Sequence, residues 1–103
     1  MFGKKSKGDA LTASYTEEND TVLIRLDGRL DSVTSREFQT EAVDRCRNRP
    51  TTLDMGLVTY ISSAGLRAIL ALDKAVGSNK LSIINAKDSV KDVLDMSGFS
   101  DFI

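Results

Sequence analysis

The chain has 103 residues, 41% apolar and 28% charged, which is room for one domain with one core and too apolar for a disordered chain. Its 14 basic and 15 acidic side chains nearly cancel, leaving no electrostatic footprint for direct contact with nucleic acid or an anionic membrane. Histidine is absent, which removes Ser–His and Cys–His triads and most zinc sites, and the single cysteine, Cys46, excludes an internal disulfide.

Residues 1–9 carry Lys4, Lys5 and Lys7 with no apolar segment after them, so they are expected to form a flexible, solvated tail rather than a signal peptide. A single domain is expected over residues 10–103. The longest apolar run, Ala68 to Leu72, is far short of the roughly 20 residues of a membrane span. A cytoplasmic protein is the expectation.

Leu11 to Tyr15 alternates weakly, and Thr21 to Leu26 alternates well, with Val22, Ile24 and Leu26 on one face. Asn19-Asp20 between them is a turn signal, so the two strands read as a hairpin. Asp27-Gly28 is expected to break the second strand, with Leu30 starting a short one beyond it. Thr34-Ser35-Arg36-Glu37 has the form of a capping box, and Val33 with Phe38 that of a hydrophobic staple, at the start of a first helix. Phe38, Ala42 and Cys46 give that helix an apolar stripe, which Asn48 and Pro50 end.

Thr51 to Met55 follows as a strand or a loop, and Ser63 to Ser78 as a helix. Lys80 to Ile84 is a further strand. A last helix, capped by Asp88 or Ser89, carries Val90, Val93 and Leu94 and closes at Gly98. This order argues an α/β layer fold, a mixed sheet covered by helices.

On the second helix, Ala68, Ile69, Leu72, Ala75 and Val76 share one face, while Ser63, Arg67, Leu70, Lys74 and Ser78 share the opposite, exposed arc. Ser62 and Ser63 fall at the strand-to-helix turn, where one serine serves as N-cap. With Ser62 as the cap, Ser63 becomes the first helical residue with its hydroxyl pointing outward. Gly65 inside the helix reads either as close packing of the first turn or as an open approach to Ser63. Asp54, at the middle or end of a strand beside the turn, is expected to anchor that turn by accepting backbone amides.

Leu53-Asp54-Met55, Val58 and Tyr60-Ile61-Ser62-Ser63-Ala64-Gly65-Leu66 resemble the signature of the STAS domain, and more narrowly that of bacterial anti-sigma factor antagonists. Gly28-Arg29-Leu30-Asp31 and Asp95-Met96-Ser97-Gly98-Phe99 extend the resemblance, which covers about residues 11 to 103. Ser62 stands where many phosphorylated members carry an acidic residue.

The resemblance implies a mixed sheet of four or five strands with three to four helices packed chiefly on one face. It implies a binding module rather than an enzyme, acting by partner switching. The partners would be an anti-sigma factor with serine kinase activity, which modifies Ser63, and a PP2C-type phosphatase that resets it. Asp31, Ser62, Ser63, Gly65, Leu66, Arg67 and Leu70 are the expected partner-binding residues, with Leu66 and Leu70 as exposed apolar contacts; Asp31 reads equally as an acid leading the first helix and interacting with its dipole. No cofactor, metal or catalytic residue is expected. With no G-x-x-x-x-G-K-[ST] loop in the chain, any nucleotide would sit in the kinase. Two alternatives stand beside this: an unmodified STAS scaffold subunit of a larger signalling or membrane transport complex, and a hydrolase using Ser63. The absence of histidine and of a G-x-S-x-G elbow opposes the hydrolase.

Overall fold

The computed structural model describes residues 10–99. The expected tail at residues 1–9 and the final residues 100–103 lie outside them. Seven elements follow one another: β1 (Leu11–Glu18), β2 (Thr21–Leu30), α1 (Thr34–Cys46), β3 (Thr51–Ile61), α2 (Ser63–Val76), β4 (Leu81–Ile84) and α3 (Asp88–Met96). The four strands lie in the order β1-β2-β3-β4, with β1 antiparallel to β2 and the other neighbours parallel. This is the mixed α/β sheet anticipated from the sequence, at the four-strand, three-helix end of the expected range.

Asn19 and Asp20 both take positive φ (53° and 70°), the turn geometry that matches the twist of a two-residue hairpin between β1 and β2. Val22, Ile24 and Leu26 of β2 are fully buried, as are Leu53 and Met55 of β3, while Arg25 and Asp27 are exposed. That period-two pattern turns one sheet face toward the helices, and Phe38, Ala42, Leu72, Val76 and Leu94 complete a single core with it.

β2 does not break at Asp27-Gly28. It runs on to Leu30, because Gly28 adopts φ +124° opposite Leu11, where a Cβ would stand 2.3 Å from the Ala10 carbonyl oxygen. β3 is longer than Thr51 to Met55 suggests. Its pairing with β2 shifts register between Arg25 and Asp27, and again between Gly28 and Arg29. Each slip inserts one extra β3 residue and re-aims the side chains after it, so burial passes from Met55 to Val58 and then Ile61.

The start of α1 also departs from expectation. Val33 is already helical (φ −82°, ψ −47°), and the cap lies earlier, at Asp31. The Ser35 amide donates to the Asp31 carbonyl, and Asp31 Oδ1 accepts from the amides of Val33 and Thr34 at 3.0 Å each. The Thr34 hydroxyl donates to the Arg29 carbonyl at 2.7 Å and accepts from the Asp31 amide, so the Thr34–Glu37 box does not form. Val33 is 81% exposed and staples nothing.

α2 stops at Val76 rather than Ser78, because Gly77 turns to φ +74°. At the end of α3, Gly98 (φ +86°) donates to Asp95 and Phe99 donates to Leu94, a Schellman closure at the glycine expected there. No helix of the described residues is long and apolar enough to cross a membrane.

Candidate functional site

The site lies where β2 and β3 end and α1 and α2 begin. Leu30 and Ile61 are register partners, and the Ser62 amide donates to the Leu30 carbonyl at 3.0 Å. That one bond brings Asp31, next in the chain to Leu30, alongside Ser62 and Ser63. Gly65 makes the junction possible: a Cβ there would lie 2.7 Å from Leu30 O and 2.9 Å from Ile61 Cγ1. Its role is close packing of the first helical turn on the strand ends. Being buried, it offers no open approach to Ser63.

Ser62 is the N-cap of α2, in extended conformation (φ −106°, ψ 177°), and its hydroxyl accepts from the Gly65 amide at 3.2 Å. The adjacent serine is different. Ser63 is exposed as the first helical residue, without a capping duty. Two neighbouring hydroxyls are thereby distinguished by backbone geometry alone.

The exposed arc of α2 that carries Ser63 also carries a cation and an apolar side chain. The first turn of α2 holds no acidic residue, and Arg67 is exposed one turn further on. Leu70 is 44% exposed, as expected of a contact residue, but Leu66 is half-buried and packs against the core, which corrects its reading as an exposed leucine. Asp31 is half-buried and already committed to the α1 cap. Hydrogen bonding from the Thr34 amide, with further bonds from the Val33 amide and the neighbouring Arg29, holds its carboxyl below the ordinary range despite partial desolvation.

Three features of this end escaped the sequence reading. The Arg29 guanidinium lies over the Tyr60 ring at 4.4 Å from its centroid, and its Nε stands 3.5 Å from Asp31 Oδ2. Tyr60 is 42% exposed, and Val33 opens to solvent beside the Asp31 cap. An aromatic directly before the Ile61-Ser62-Ser63 motif was the available signal for Tyr60. The exposure of Val33 had none, since it depends on where the cap falls.

Asp54 accepts a backbone amide as expected, but not at the strand-to-helix turn. It lies inside β3 at the first register slip, where Oδ1 accepts from the Gly56 amide (3.0 Å) and from Asn85 Nδ2 (3.2 Å), and Oδ2 faces Arg25 Nε (3.5 Å). The Gly56 bond leads in lowering its pKa. Cys46 is buried in the core, and that burial pushes its thiol pKa up.

The STAS domain family model matches residues 12–103. BtrV of Bordetella bronchiseptica, named as an anti-sigma factor antagonist, is 34% identical over 79 residues, covering 72% of this chain and 67% of that protein. Among solved structures, an anti-sigma factor antagonist from Mycobacterium paratuberculosis superposes with a TM-score of 0.81 at 17% identity, over 94% of this chain and 86% of that one. The unphosphorylated form of the antagonist SpoIIAA gives 0.79 at 16% identity, over 88% and 84%. The phosphorylated form of SpoIIAA, from Bacillus, gives 0.72 at 15% identity, over 88% and 87%. At those identities the structural likeness speaks for the fold. The family match, spanning most of the chain, establishes that this protein belongs to the STAS domain family.

Proposed function

We propose that this chain is a cytoplasmic anti-sigma factor antagonist. It binds an anti-sigma factor with serine kinase activity, is released when Ser63 is phosphorylated, and is reset by a PP2C-type phosphatase. The observation that carries this reading is the division of labour between the two serines: Ser62 is engaged as the cap, and Ser63 stands exposed. The name of the Bordetella relative points the same way.

In the reaction, the γ-phosphoryl group passes from ATP to Ser63 Oγ, ADP leaves, and the hydroxyl proton goes to a base of the kinase. The product adds about −1.5 to −2 charges and three strong acceptors. At the first helical position the free amides and the dipole accommodate that charge, so the fold persists. A partner surface shaped for a neutral hydroxyl must instead desolvate a dianion, at a cost of several kcal/mol. Each 1.4 kcal/mol is about tenfold in affinity, so release needs no change of shape.

The test is incubation with ATP and a candidate anti-sigma factor kinase, followed by mass spectrometry and calorimetry. Addition of one phosphoryl group at Ser63 is expected. Ser63→Ala should hold the partner irrespective of ATP, and Ser63→Asp should fold yet bind about a hundredfold more weakly or worse. A complex whose affinity ignores both ATP and Ser63→Asp would indicate the unmodified scaffold instead.

A further inference from the structure

Arg67 is an exposed cation whose helical neighbours leave it alone. Residues three and four positions away on a helix are its contact partners, and for Arg67 these are Ser63, Ala64, Leu70 and Ala71. None carries a charge, and only Ser63 can acquire one. Arg25, Arg29, Arg45 and Arg49 all stand in ion pairs, whereas Arg67, like Arg36 and Arg47 on and after α1, forms none among the described residues. The nearby carboxylate of Asp31 is already engaged by the amides of Val33 and Thr34 and by Arg29.

We infer that a phosphate on Ser63 is gripped by Arg67 in an intrachain i,i+4 pair, so that modification both adds negative charge to the docking face and withdraws a cation from it. The inference rests on Ser63 being the modified residue. The geometry suits the pair: both side chains lie on the exposed arc of α2, with the anion N-terminal to the cation, the favourable orientation for this spacing. The guanidinium fork fits two phosphate oxygens at once, which an ammonium does not. Release is then a change of two features of one surface. A partner reading Arg67 through an acidic group loses that contact in the same event that brings it the phosphate.

The test uses the full chain with phosphoserine inserted at position 63 during translation, and follows the second ionisation of the phosphate by phosphorus NMR titration. That ionisation lies near pH 6 in an unpaired phosphoserine, and pairing with Arg67 should lower it by roughly 0.3 of a unit relative to Arg67→Gln. Arg67→Lys should restore part of the shift, while Lys74→Gln, further along the same arc, should leave it in place. Equal values for the parent chain and Arg67→Gln would overturn the pair. So would a Lys74→Gln effect as large as that of Arg67→Gln, which would mean a diffuse field. Because the phosphate is installed without a kinase, a negative result condemns only the Arg67 contact. Whether a kinase modifies Ser63 is decided separately, by the ATP incubation.

Discussion

The starts of α1 and α2 are built alike and charged differently. Each helix follows the end of a parallel strand, and each is capped by the residue directly after that strand, Asp31 in one case and Ser62 in the other. At α1 the cap is a carboxylate whose negative charge is already neutralised by two amides and Arg29. At α2 the cap is a neutral hydroxyl, and the first turn has no acid. The favourable end of the α2 dipole is therefore left without an anion. One helix start is electrostatically finished, and the other is left open for charge to be added later.

Four substitutions probe that contrast. The largest effect should come from Gly65→Val, which drives a branched side chain against the Leu30 carbonyl and Ile61. A loss of about 3 kcal/mol is expected in urea unfolding, since backbone cannot yield as a flexible side chain does. Asp31→Ala should cost about 1–2 kcal/mol by removing the α1 cap. The lowered folded-state pKa of Asp31 means its contribution is present above the ordinary carboxylate range and is lost as pH falls through the folded value. Stability should therefore drop more steeply on acidification in the parent chain than in Asp31→Ala.

Ser62→Ala should cost about 1 kcal/mol, with Gly65 losing its amide acceptor. Ser63→Ala should change stability by less than about 0.5 kcal/mol, as an exposed residue without a capping duty. Equal costs for the two serine variants would erase the distinction on which the site depends. Thermal or urea unfolding of the pair, measured side by side, decides it.

The sequence carried much of this site because its rules are local. A serine pair before an apolar-periodic run, with glycine three residues after the first serine, marks the cap of α2 directly, and the exposed arc of Ser63, Arg67 and Leu70 follows from helical periodicity. The Asn19-Asp20 hairpin and the Gly98 closure were legible for the same reason. What failed was decided across the chain. Thr34 satisfies a capping-box pattern, but its hydroxyl is claimed by the Arg29 carbonyl, so Asp31 takes the role. Asp27-Gly28 looks like a strand breaker until β1 is laid beside it and Gly28 becomes the residue that permits the approach. The two slips in β3 depend on its pairing with β2, which no window of β3 alone reveals. Leu66 was placed by its angle on an isolated helix, and the core reaches it anyway.

The amide bond from Ser62 to Leu30 has a bearing on any enzyme that would modify the neighbouring serine. Ser63 is displayed by a long-range junction, so its presentation requires β2 and β3 to be assembled. A synthetic peptide spanning residues 58–70 lacks Leu30 altogether and is too short to hold a helix in water. It should be a poor substrate and a poor competitor. Specificity on this view is read from a folded shape, and a catalogue of flanking letters will not reproduce it.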